Sequence, residues 1–219
     1  MVPGPYRGRD GVRPDHLTFT ARPGAVTVLA GPNGAGKTTL LQVTPKSRSD
    51  VPGYGDMQRQ VAEHAGRVNG AMGTMDWTPI RYINQSVGRN TLAGLYRIAR
   101  VGLVTPLRDG MNLVAKEYVA AQDPEDPGVL VLSRFAGAAR ELTSALIVNP
   151  YDCVGMAEAL DRALNMSLAE RKDRYEHLMR AIRAADLDAW RDNFMRDLRS
   201  FISQPSAQRA KKVELVEPE

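Results

Sequence analysis

Two acidic residues flank a glycine turn in the middle of the chain. Asp109 precedes Gly110, and Glu117 follows eight residues later in a run whose spacing predicts a helix over 112–122. The first backbone N–H groups of a helix have no partner within the helix and lie at its positive end, so such a turn suits a diphosphate. The carboxylates can hold sugar hydroxyls on either side. The pattern predicts a nucleotide-sugar site.

A second phosphate-binding pattern lies near the N-terminus. Residues 31–38 match G-x-x-x-x-G-K-[ST] directly after an apolar run. In that motif backbone amides surround the phosphates, the lysine reaches their outer oxygens and the hydroxyl holds Mg²⁺. The motif predicts a helix over 36–42, which Pro45 would limit to about two turns. The alternative is a strand over 40–43. The candidate phosphate-binding residues are Gly31, Asn33, Gly34, Gly36, Lys37, Thr38 and Thr39.

Strand-like and helix-like segments alternate along most of the chain. This alternation predicts an α/β fold with a doubly wound parallel sheet, whose ligands bind at the carboxyl ends of the strands. Helices alone are expected after residue 153, with Ser167 as an N-cap. The predicted strands are 26–30, 80–83, 101–104, 129–132 and 146–148, and the predicted helices are 52–70, 91–99, 112–122, a short one after Phe135, 154–165, 168–185 and 187–202.

Composition narrows the function classes. The net charge of +4 comes from dispersed basic residues, which favours a solvated surface over a nucleic-acid partner. The single cysteine, Cys153, excludes an intramolecular disulfide and is expected to pack against a helix. No apolar run reaches membrane-spanning length, so a cytoplasmic protein without a membrane partner is expected. Asp109 and Glu117 lack a third ligand at suitable spacing, so no metal is expected.

Five runs of residues, spread over most of the chain, carry a resemblance to a known family. They are 45–51, 76–79, 101–117, 127–139 and 145–152. From about residue 41 to 202 the chain resembles the C-terminal half of the trehalose-6-phosphate synthases, retaining glycosyltransferases of the GT-B architecture. The resemblance implies a Rossmann-like nucleotide-sugar-binding domain over 43–204 with C-terminal helices, a P-loop-containing appendage over 1–42 and a disordered tail over 205–219. It implies no cofactor.

The same resemblance implies roles for individual residues. The family transfers glucose from a nucleotide-glucose donor to glucose 6-phosphate, which makes these two molecules the expected partners. Asp109, the catalytic candidate, would hold hydroxyls of the donor glucose, and Glu117 would bind the ribose. Amides near Asn112 and Leu113 would take the diphosphate, with Gly110, Met111 and Val114 shaping the same wall. Arg48 would hold the acceptor phosphate. The alternatives are an Asp109 that only caps the helix and a Glu117 that is only solvated.

Two features oppose a complete enzyme. The chain lacks the family's acceptor domain and its Arg-Leu-Asp-Tyr-x-Lys-Gly segment, so an inactive fragment is expected. Residues 1–42 resemble the start of an ATP-binding cassette ATPase, which makes ATP a possible further partner, but the Leu-Ser-Gly-Gly-Gln signature and a strand ending in Asp-Glu are missing. A nucleotide-binding ATPase relic and a non-catalytic nucleotide-sugar-binding module therefore stay open as alternatives.

Overall fold

A computed structural model describes residues 26–30, 38–44 and 54–202 of the chain. The strands are β1 (Val26–Ala30), β2 (Thr39–Val43), β3 (Ile80–Ile83), β4 (Val101–Val104), β5 (Val129–Ser133) and β6 (Leu146–Val148). The helices are α1 (Tyr54–Met72), α2 (Arg89–Ile98), α3 (Leu113–Ala121), α4 (Cys153–Leu164), α5 (Leu168–Ala184) and α6 (Leu187–Ile202), with a 3₁₀ helix at Gly137–Arg140.

The six strands form one sheet in the order β3-β2-β1-β4-β5-β6. The α/β prediction is confirmed, and β2 to β6 run in the same direction. The prediction of a parallel sheet is wrong for β1, which runs antiparallel to both of its neighbours. Only residues 31–38 join β1 to β2, and a parallel pair needs a crossover of about a dozen residues or more. The short connection therefore requires an antiparallel pair.

The predicted helix over 36–42 is also wrong, because β2 occupies Thr39–Val43. Leu40 faces Leu29 of β1 on one side and Ile80 of β3 on the other. Burial explains the outcome: Leu40 and Val43 are 6% and 3% exposed, and a two-turn helix is unstable without such packing. The phosphate-binding pattern therefore lacks the helix dipole that its chemistry needs over 39–42.

Two of the predicted P-loop residues lie in the described part of the chain. Thr38 is exposed, while Thr39 is half-buried in β2. The Thr39 hydroxyl donates to the Thr78 carbonyl at 3.3 Å and accepts from Trp77 Nε1 at 3.2 Å. These contacts give Thr39 a structural role beside β3. Gly31, Asn33, Gly34, Gly36 and Lys37 lie outside the described residues.

The core lies on the sheet face that α4 covers. Val101, Val131 and Met156 are almost fully buried there, together with Leu40 of β2. The other predicted helices and strands are confirmed within a few residues at each end. Ser167 caps α5 as expected, because its hydroxyl accepts from Glu170 N–H at 3.2 Å. The C-terminal strand ends thus meet at one edge, which positions the loop after β4.

The described residues form two compact units, one up to Met179 and one from Arg180 onward. In the second unit, Trp190 and Phe194 of α6 stack with ring centroids 5.5 Å apart. The predicted boundary at 42/43 falls inside β2, and the predicted tail over 205–219 lies outside the described residues. Among the described helices, none combines the length and the apolar character that crossing a bilayer requires.

Candidate functional site

The candidate site begins where β4 ends. All four residues of β4 are buried, and Thr105 and Pro106 continue this buried stretch before the chain turns outward. The turn ends at Asn112, whose φ of 76° is the single positive value among the described non-glycine residues. Asparagine tolerates the left-handed region better than most residues do. This geometry lets Asn112 Oδ1 accept from Ala115 N–H at 2.9 Å and cap α3.

Asp109 supports the capping residue. Its Oδ2 accepts from Asn112 Nδ2 at 3.0 Å, and its Oδ1 accepts from Met111 N–H at 3.1 Å. The alternative in which Asp109 itself caps the helix is therefore wrong, since Asn112 does so. Each carboxylate oxygen can accept a further hydrogen bond. Asp109 is thus oriented by the turn and still able to hold a hydroxyl group.

A second loop, which follows β5, braces this turn. Asp109 N–H donates to the Phe135 carbonyl at 3.2 Å, and the Asp109 carbonyl accepts from Gly137 N–H at 3.0 Å. Ala138 N–H donates to the Met111 carbonyl at 2.7 Å. A Cβ on Gly137 would overlap the carbonyl oxygen of Gly110, so this approach requires glycine. Sequence reasoning missed these bracing residues because they lie far from Asp109 along the chain.

Aromatic packing holds α3 in place. The buried Tyr118 hydroxyl donates to the Ala99 carbonyl at 3.0 Å, and its ring lies so close to Gly102 that a Cβ there would be 2.7 Å from it. Burial raises the pKa of both Tyr118 and Tyr96, and the charge of Glu117 adds to the rise at Tyr96. Both hydroxyls therefore stay neutral, and the start of α3 rests on a rigid base.

The start of α3 can receive an anion. The amides of Leu113 and Val114 have no intrahelical acceptor by helix geometry, and they lie at the positive end of the dipole. Glu117 is exposed one turn further along, on the side of the helix that carries Leu113. Met111 and Leu113 expose 45% and 59% of their surface beside these groups. The arrangement offers unpaired amides between two carboxylates, with apolar contacts alongside.

The structure brings together most of the predicted donor-site residues. Asp109, Gly110, Met111, Asn112, Leu113, Val114 and Glu117 share this turn and helix. Arg48 lies outside the described residues. Within the described ranges, no group of three or more acidic, histidine or cysteine side chains could hold a metal ion.

Three lone residues outside the turn had predicted environments. Cys153 is exposed at the first position of α4, so the expectation that it packs against a helix is wrong. His64 and His177 are exposed as predicted.

Comparisons with known proteins match most of the described chain. The model of glycosyltransferase family 20 matches residues 28–200. A trehalose-6-phosphate synthase from Sinorhizobium fredii is 64% identical over 171 residues, which cover 78% of this chain and 37% of that protein. The ATP-binding cassette resemblance of residues 1–42 gains no support from these comparisons.

Solved structures agree with this match. A UDP-forming α,α-trehalose-phosphate synthase from Burkholderia xenovorans in complex with glucose-6-phosphate is 60% identical with a TM-score of 0.69, covering 73% of this chain and 35% of that one. An Escherichia coli structure with bound UDP-2-fluoro glucose is 58% identical with a TM-score of 0.69, covering 72% and 35%. The chain therefore spans little more than a third of the length of these relatives.

Proposed function

Because the chain belongs to glycosyltransferase family 20, we propose that the loop between β4 and α3 binds a nucleoside diphosphate glucose, the donor of trehalose 6-phosphate synthesis. The hydrogen-bonded chain from Asp109 through Asn112 to Ala115 carries this proposal. It couples a carboxylate suited to sugar hydroxyls to a helix start suited to a diphosphate. The donor would therefore lie along the turn with its glucose at Asp109 and its phosphates at α3.

Each residue then has a defined part in binding. The amides of Leu113 and Val114 take diphosphate oxygens, because they are unpaired donors at the positive end of α3. Glu117, one turn further along, accepts hydrogen bonds from the ribose hydroxyls. Asp109 orients the glucose so that its anomeric carbon faces the acceptor. The relative that was solved with UDP-2-fluoro glucose supports a UDP-linked donor.

Transfer requires an acceptor beside this donor. Glucose 6-phosphate is the acceptor that we propose, with Arg48 on its phosphate as a charge-assisted contact, and the relative solved with glucose-6-phosphate supports it. The chain covers only 35–37% of the relatives' lengths. Holding two reactants together is worth several kcal/mol of barrier, so the stretch alone should bind donor without appreciable turnover. Its role is that of the donor half of the transferase.

ATP at the P-loop pattern is the competing expectation, and no observation favours it. The strand β2 replaces the helix that would have directed its dipole at a phosphate. The family match also extends through the pattern, from residue 28 onward. A non-catalytic module that captures nucleotide sugar shares the same donor site, so turnover in the presence of an acceptor domain distinguishes it.

Calorimetric titration with UDP-glucose, GDP-glucose and ATP tests the proposal. We expect a nucleotide-glucose to bind with a dissociation constant on the order of 1 mM, or about 4 kcal/mol, because the amides are present without the diphosphate cations. Glu117→Gln should weaken this binding, and ATP should give no saturable heat. Binding of ATP alone would overturn the proposal. Trehalose 6-phosphate formed by the chain alone, above a Glu117→Gln control, would overturn the division into halves.

A further inference from the structure

A cavity of about 540 Å³ lies along the outer edge of β6. Its volume is within the range of ligand-binding pockets. The walls come from β6, from Arg134 after β5, from one face of α4 and from Arg174 of α5. None of the donor-loop residues lines it, so the proposed function leaves this cavity unexplained.

The edge of β6 is open on the side of the cavity. β6 is the last strand of the sheet, and its only strand partner among the described residues is β5. The Val148 carbonyl accepts from Arg134 N–H at 2.9 Å on the β5 side. Backbone groups alternate in direction along a strand, so the N–H and C=O of Ile147 point away from β5. Ile147 therefore presents a donor and an acceptor to an incoming chain.

The charges around Ile147 are mostly paired with one another. Arg162 and Arg174 both bond to Glu170, at 3.1 and 2.9 Å. Asp152 accepts from Gly155 N–H at 3.0 Å and caps α4. Two side chains of opposite sign remain, Arg134 and Glu158, and both are exposed. In the described part of the chain, neither has an ion-pair partner.

We propose that this cavity binds an extended peptide, which adds to the sheet beside β6. Strand addition takes its affinity from main-chain hydrogen bonds and its specificity from the flanking side chains. The peptide backbone would pair with the N–H and C=O of Ile147. One acidic side chain of the peptide would meet Arg134, and one basic side chain would meet Glu158. A simple anion would satisfy Arg134 alone and leave Glu158 and the strand edge unused.

Fluorescence anisotropy with two labelled peptides tests this proposal on the full chain. The peptides are Glu-Val-Thr-Val-Lys and Lys-Val-Thr-Val-Glu, both acetylated and amidated, so that only the order of the charges differs. The native protein should prefer one of them. The exchanged variant Arg134→Glu/Glu158→Arg should reverse that preference by about ten-fold overall, which is the scale of two exposed ion pairs. Both substituted positions are exposed, so the fold should tolerate them.

Amide hydrogen exchange supplies the second measurement. The preferred peptide should slow exchange at Ile147, whereas the amides of β3, at the opposite edge of the sheet, should be unaffected. The proposal is overturned if neither peptide binds, if the variant keeps the native preference, or if bound peptide leaves Ile147 unprotected.

Discussion

Asn112 Nδ2 donates a hydrogen bond of 3.0 Å to Asp109 Oδ2, while Asn112 Oδ1 caps α3 through Ala115 N–H. One amide side chain therefore links a carboxylate to a helix start. Because Asn112 needs its left-handed backbone to make both contacts, the position of Asp109 and the order of the helix start depend on each other. In the proposed function these two groups hold opposite ends of one donor.

Replacement of Asp109 should separate the sugar from the nucleotide in binding. Asp109→Asn keeps the shape but removes the charged acceptor, and hydrogen bonds to charged groups contribute about 1.5–3 kcal/mol. We expect UDP-glucose binding to fall by roughly ten-fold or more, while UDP binding changes little. NMR titrations with the two ligands measure this difference. An equal loss for both ligands would show that Asp109 only supports the turn.

Two substitutions of Asn112 should rank in a defined order. Asn112→Gly keeps the positive φ but loses the cap, at a cost of a few tenths of a kcal/mol. Asn112→Ala also adds the strain of a left-handed residue, for a total of about 2 kcal/mol. Urea unfolding measures both free energies. Equal losses would mean that the backbone at this position relaxes out of the left-handed region.

The close approach of the two loops predicts that Gly137→Ala damages the site. An added Cβ would collide with the Gly110 carbonyl and push the turn away from the loop after β5. We expect a loss of stability of about 1–3 kcal/mol, the range for overpacking, together with weaker donor binding.

Gly94→Ala is the matched control for this substitution. An added Cβ at Gly94 meets nothing within 4 Å, and the residue lies inside α2, where alanine is favoured over glycine. This variant should keep or slightly raise the free energy of unfolding. Similar destabilisation by both substitutions would contradict the described contact between the loops.

Asp126 should contribute to acid sensitivity. The hydrogen bond from Arg171 at 2.6 Å holds the pKa of Asp126 below its usual value, with Arg100 also contributing. A lowered pKa stabilises the fold above the unfolded value of about 3.9, and this contribution is lost as the pH falls through the folded value. Asp126→Asn should therefore lower stability at neutral pH and flatten its decline below about pH 4. Thermal unfolding from pH 7 to 2 measures this, with Glu125→Gln, in an exposed ion pair with Lys172, as control.

The sequence predicted the donor turn because its residues are contiguous and their spacing reports the helix directly. The bracing by Phe135 and Gly137 could not be predicted, since a contact between the ends of β4 and β5 depends on the sheet. The positive φ of Asn112 likewise follows from the turn that these braces shape. Leu40 and Val43 show the opposite case, where a local helix motif gave way to burial between two strands.

The most direct test of the account is an amide-resolved NMR titration of the full chain with UDP-glucose. The amides of Leu113 and Val114 should show the largest shifts, because they are the proposed diphosphate donors, and those of Gly34 to Lys37 should stay unchanged. The same titration with ATP should move neither set. Shifts from either ligand that concentrate at Gly34 to Lys37 and spare Leu113 and Val114 would contradict the account.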